Sequence, residues 1–143
     1  MTKPAHATGH APSPFSSFVG VVSEGAGDGE ARVAVELRHE LLNNHAAGHG
    51  GVLLTLMDQA MAQAALSRQP QAHGVVTVDV NAAFMRPAHG HVVAVGRVVG
   101  GGRSVCFCEA RITNAEGEVA ASAMGTFRYL DPTPSATPHQ DPP

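Results

Sequence analysis

Lysine is almost missing from this chain. The only one is Lys3, so the body of the protein carries its positive charge on arginine. Cysteine is also scarce, with Cys106 and Cys108 alone, two residues apart. On one strand they would share a face at a separation poorly suited to bridging, so they are expected to be reduced core residues in a cytoplasmic protein. Net charge is only -3, too mild for a nucleic-acid partner or an acidic membrane surface. No apolar run is long enough to span a membrane, because Thr55, Asp58, Gln59 and Gln63 interrupt the longest one. The first residues lack an apolar h-region, so no signal peptide is expected. There is no G-x-S-x-G elbow, no P-loop, and no G-x-G-x-x-G after a strand.

With 143 residues, the chain is expected to form one domain. Met1 to Pro14 and Asp131 to Pro143 are rich in Pro, Thr, Ser and His without apolar periodicity, and are expected to be disordered tails. The domain of residues 15–130 has a limited interior, so oligomerisation is expected. Phe15–Ser23 and Ala31–Arg38 are predicted strands around a turn at Glu24–Glu30. Val52–Leu66, rich in Leu, Met and Ala, is the one convincing helix. It is apolar on nearly every face and should be covered on most sides. Val75–Met85, Val92–Val99, Ser104–Thr113 and Val119–Leu130 are predicted strands, separated by turn signals of hairpin length. One buried helix and about six strands predict an α+β fold, an antiparallel sheet curled around a central helix.

The chemistry concentrates between Asn43 and Asp58. In Asn43-Asn44-His45-Ala46-Ala47-Gly48-His49-Gly50-Gly51 the glycines flank a helix start. The first N–H groups of a helix lack internal partners and sit at the positive end of its dipole. Glycines there let a partly anionic oxygen approach, although glycines alone equally mark a tight turn. Asp58 lies two turns into the helix, too deep for a cap. Its i±3 and i±4 neighbours, Leu54, Thr55, Met61 and Ala62, include no cation. If buried, a carboxylate so placed should have a raised proton affinity, suited to a general base or nucleophile; the alternative is an exposed stripe shared with Gln59 and Gln63. His49 is open to three roles: a donor within the turn, a ligand contact, or a metal ligand with His45 and His39. Zinc wants three or four converging ligands and HxxxH supplies two, so no metal is expected.

These residues resemble a known family. Asn43, then His49-Gly50-Gly51, then Asp58 nine residues after the histidine, is similar to the hotdog-fold acyl-CoA thioesterases of the PaaI (phenylacetate-degradation) type. The segment Thr77-Val-Asp-Val-Asn-Ala-Ala-Phe-Met-Arg-Pro87-Ala resembles the family's strand after the helix, and Gly102-Arg103-Ser104 its next hairpin. The resemblance implies hydrolysis of acyl-CoA without a cofactor. The Gly50 N–H and the Asn43 side chain would polarise the thioester carbonyl. Asp58 would activate water or attack directly, helped by Thr77, while His49 positions the turn or the thioester. It further implies a homodimer with Asp58 and Asn43 from different subunits in each site, and pairing of dimers into a homotetramer. Gly51, Arg86, Arg103 and Ser104, and also Arg97, are candidates for the coenzyme A moiety. Pocket volume is expected to depend on Met57, Met61, Phe84 and Met85. The family often has glycine where this chain has Ala46, which bears on the loop's path. Two alternatives keep the fold: an acyl-CoA-binding module without hydrolysis, and an acyl-thioester hydratase or dehydratase.

Overall fold

The computed structural model describes residues 11–131. A short helix α1 (Pro14–Val19) precedes strands β1 (Val22–Gly27) and β2 (Glu30–Glu36). A single 3-10 turn at His39–Leu41 leads to the long helix α2 (Gly50–Arg68). Four strands then follow: β3 (Gly74–Phe84), β4 (His91–Gly101), β5 (Val105–Thr113) and β6 (Val119–Leu130). All pair antiparallel in one six-stranded sheet of order β1-β2-β4-β5-β6-β3. The sheet wraps α2, as expected for a hotdog.

The wrapping follows from alternation along the strands. On β5, Cys106, Cys108, Ala110 and Ile112 are buried, while Phe107 and Arg111 face outward. They meet Leu56, Met57, Ala60, Met61, Ala64 and Ala65 of α2, each fully enclosed. The alanines let the sheet approach closely, and the closest approach is at Gly96 of β4. A Cβ there would stand 2.5 Å from the carbonyl carbon and oxygen of Ala60. The two cysteines are free and buried, their sulfurs 3.6 Å apart.

The N-terminal prediction is corrected. Phe15–Val19 is helical, not extended, and Ser13 and Pro14, assigned to the tail, belong to the fold. Ser13 caps α1 by accepting from the Ser16 N–H, and Pro14 occupies the first turn, where its missing donor costs nothing. The following turn is also tighter than predicted. β1 and β2 continue to Asp28 and Gly29, whose positive φ angles of 52° and 83° suit a two-residue hairpin. Of the expected tails, residues 1–10 and 132–143 lie outside the described residues.

One irregularity positions the site. In β3, Thr77 pairs with Phe127 but Asp79 pairs with Thr126, so Val78 is an extra residue, a β-bulge. Thr77 and Phe84 are seven residues apart and would point to opposite faces of a regular strand. The bulge turns both toward α2: Thr77 lies opposite the buried Phe127, and Phe84 reaches Gly50.

Candidate active site

The glycine-flanked loop closes on itself before α2 begins. Asn43 Oδ1 accepts from the backbone N–H groups of His45 (2.8 Å) and Ala47 (3.2 Å). This fixes the amide so that its NH2 is the end left to donate to a ligand. Ala46 has φ of 60°, a left-handed conformation that glycine adopts without strain. Asn44 is exposed and Asn43 is the anchor. The Gly48 N–H donates to the Ala88 carbonyl, tying the loop to the segment after β3.

His49 is the N-cap of α2. Its Nδ1 accepts from the Gly51 N–H at 2.9 Å, so the ring proton sits on Nε2. The His49 carbonyl accepts from Val52 and Leu53. Among the described residues, Gly50 is left as the first-turn amide with no partner. The expected donor is therefore available, and Gly51 is taken up by the cap. Of the three roles open to His49, the geometry matches the turn. Nor do any three His, Cys, Asp or Glu side chains among the described residues cluster as a metal site.

Asp58 is half-buried and accepts a hydrogen bond at 2.7 Å from the hydroxyl of Thr77. Burial pushes its carboxyl above the usual carboxylate range, and the Thr77 hydroxyl pulls back against that shift without cancelling it. The fold thus gives Asp58 a proton affinity suited to accepting a proton, and a neighbour that holds one oxygen in place.

Gly50 and Asp58 do not meet within one chain. Eight residues along a helix separate them by about 12 Å, whereas both would have to act on one carbonyl group, by direct contact at about 3 Å or through a single water. Both face the side of α2 that adjoins β3, the sheet's edge strand, where Val76 and Val78 are exposed. Met57 and Met61, expected to shape a pocket, are fully enclosed in the core and form no open wall. Phe84 and Met85 are each 50 % exposed, and the Phe84 ring stands beside the helix start.

The candidate coenzyme A residues divide between the two ends of the sheet. Arg103 and Ser104 form the β4–β5 turn, beside the C-terminal end of α2, where Gln69 donates to the Gly102 and Arg103 carbonyls. Arg86 lies at the opposite end. Its guanidinium is committed to the Val119 carbonyl at 2.7 Å and to Glu118 at 3.2 Å. Arg97 pairs with Glu109 on the outer face. One chain therefore does not gather these arginines around a single group. No helix among the described residues is long and apolar enough to cross a membrane.

Comparisons with known proteins agree with this fold. The family model of the thioesterase superfamily matches residues 47–121, which include Gly50, Asp58 and Thr77. A Halobacterium salinarum protein named "Putative esterase" is 38% identical over 126 residues, covering 80% of this chain and 83% of that one. Among solved structures, a conserved protein of Pseudomonas aeruginosa superposes with a TM-score of 0.76 at 32% identity, covering 83% of this chain and 95% of that one. A mutant of the phenylacetic acid degradation protein PaaI of Thermus thermophilus gives a TM-score of 0.72 at 29% identity, over 82% and 99% of the two chains. The chain belongs to the thioesterase superfamily, as a PaaI-type hotdog protein with the role of a thioester hydrolase.

Proposed function

We propose that the protein hydrolyses acyl-CoA thioesters at two sites shared between the subunits of a homodimer. The observation that carries this reading is the separation of Gly50 from Asp58 along one open edge. A second copy, antiparallel across β3, would bring its Asp58 to the first copy's Gly50, and the reverse pair together at the other end. The exposed β3 edge, with unpaired backbone groups and Val76 and Val78 at the surface, suits such pairing. Arg86 is held by Glu118 and the Val119 carbonyl, which leaves the β4–β5 turn, with Arg103 and Ser104, to meet the coenzyme A phosphates.

In this scheme the Gly50 N–H and the Asn43 amide NH2 hold the thioester oxygen, and the charge growing on it strengthens both contacts. Asp58 takes a proton from water as the water oxygen bonds to the carbonyl carbon. Direct attack by the carboxylate, giving an anhydride that water then opens, is the other course for the same groups. The C–S bond breaks and the sulfur leaves as a thiolate. Its thiol pKa of about 8–9 means that no strong acid is needed to expel it. The products are a carboxylic acid and free coenzyme A, and the chemistry calls for no cofactor.

Thiol release across a panel of acyl-CoA substrates tests the activity. Turnover of thioesters on other carriers with none on coenzyme A would refute the substrate. Sharing of sites is tested by mixing Asp58→Ala with Gly50→Pro. Proline is tolerated at the first helical position, where it removes only the N–H, and the preceding His49 is already extended with ψ of 136°. Each variant alone should be inactive. Refolded or co-expressed together they should recover about a quarter of wild-type activity, because half the dimers are mixed and each mixed dimer has one intact site. No recovery would mean that each site lies within one chain.

Thr77→Val gives a second, independent check. Losing the hydroxyl removes the one contact that lowers the Asp58 proton affinity. The acid limb of the kcat/KM profile should therefore move to higher pH, with a roughly tenfold loss at the plateau, the scale of one hydrogen bond to a charged group. An unmoved limb would show that Asp58 is not the titrating base.

A further inference from the structure

We propose that Phe84 selects the acyl group, its ring forming the wall along which the acyl chain leaves the bound carbonyl. This deepens the acyl-CoA reading above and rests on it. Phe84 sits on the inner face of β3, yet it is half exposed, unlike Phe127 on the same face of the neighbouring strand, which is fully buried. Its cross-strand partner is Ala121 and the preceding inner position is Ala82, so nothing large packs against the ring from the sheet. What the ring meets is the start of α2. Its leading atoms Cζ, Cε1 and Cε2 lie 3.8–4.0 Å from where a Cβ on Gly50 would stand.

That contact places an aromatic edge beside the one first-turn N–H without a partner. A carbonyl oxygen accepting from Gly50 must bring its carbon, and one substituent of that carbon, against the ring. The surroundings say which substituent suits it. Met85 and Leu54 are exposed apolar neighbours in sequence or on the facing helix, and Arg86, two residues on, has its guanidinium engaged by Glu118 and Val119. This surface fits hydrocarbon rather than the amides and phosphates of coenzyme A. Beneath it, Leu53, Leu56 and Met57 are close-packed in the core, so the chain runs across the ring and not inward. Towards Thr77 the inner positions shrink to Ala82 and Val80, which leaves Phe84 as the bulky limit. Short or flat acyl groups follow as the preferred class.

The test compares wild type, Phe84→Ala and Phe84→Leu on acetyl-, butyryl- and octanoyl-CoA, with dimer state and thermal melting as controls for folding. Phe84→Ala should raise the octanoyl-to-butyryl ratio of kcat/KM by about tenfold, the effect of roughly two methylene groups gaining contact. Phe84→Leu, which keeps most of the bulk, should move that ratio less than about threefold. A change equal for all three substrates would overturn the proposal, since the ring would then touch the part they share or merely shape the helix start. The same ratio read as Kd values in an Asp58→Asn background, with and without Phe84→Ala, separates the two levels. A shifted Kd ratio without wild-type turnover would uphold acyl selection and defeat hydrolysis; an unshifted one defeats the selection.

Discussion

Asp58→Ala is expected to lower kcat by roughly 10²–10⁴-fold, the usual loss when a positioned general base is removed. On the proposed mechanism the loss should appear in kcat more than in KM, because the carboxylate would act on water or on the carbonyl carbon rather than hold the coenzyme. Asp58→Asn should be as inactive, yet more stable than the wild type. The folded-state carboxyl has a pKa above the ordinary value of 3.8, so the native protein binds the proton more tightly than the unfolded chain does. Wild-type stability from this group is therefore greatest below about 3.8 and declines as pH rises towards the raised native value. Above both values the full cost of the half-buried charge is present. Asparagine removes that cost, and its oxygen can still accept from Thr77. Melting temperatures at neutral pH should rank Asp58→Asn above wild type, with the gap narrowing in acid. Turnover retained within tenfold by Asp58→Ala would remove Asp58 from the mechanism. A melting temperature for Asp58→Asn below wild type at neutral pH would refute the strained charge.

Gly96→Ala should be strongly destabilising, because the added methyl group has no room between β4 and α2. The added Cβ would meet backbone atoms of α2 at 2.5–2.8 Å, at Ala60 and Met61. No side chain can rotate away there, so either the helix or β4 must retreat. Overpacking of this kind typically costs about 1–3 kcal/mol, and contact with an immovable backbone puts the expected value at about 3 kcal/mol or more. Gly96 has no left-handed φ, so the penalty is one of space alone. Gly27→Ala is the matched control, since its Cβ would meet nothing within 4 Å, and a change within about 0.5 kcal/mol is expected. Urea unfolding of the two variants measures both. Equal midpoints would show that α2 does not rest on Gly96. A retreat of α2 would also displace Asp58, so activity should fall with stability in any Gly96→Ala protein that folds.

The regular elements were legible because their signals are local. Alternation and turn residues placed β3 to β6 close to their observed limits, and the apolar, proline-free run placed α2. The run predicted Val52 as the start, while the helix begins at Gly50, since a histidine cap and its hydrogen bond carry two poor helix formers into the first turn. The first helix was missed although Ser13-Pro14 is a helix-start signal. Six residues are too few for periodicity to show, and Phe18 and Phe15 remain exposed, so no buried stripe marks them. Asp58 stood out because nothing on its own helix neutralises it. Thr77 entered only through family resemblance, since its contact spans nineteen residues across two elements.

By itself the sequence determined one helix within six strands, a helix start stripped of side chains, and a solitary acid two turns along it. Those are properties of neighbours in the chain, and local propensity and spacing are enough to set them. Tertiary structure decided which groups meet. The extra residue at Val78 turns Thr77 and Phe84 onto the same face, and no periodicity argument anticipates a bulge that pairing with β6 imposes. The length of α2 holds Gly50 and Asp58 apart along an open strand edge. A helix cannot bend back to close such a gap, and that rigidity is why the proposed site draws on a second copy.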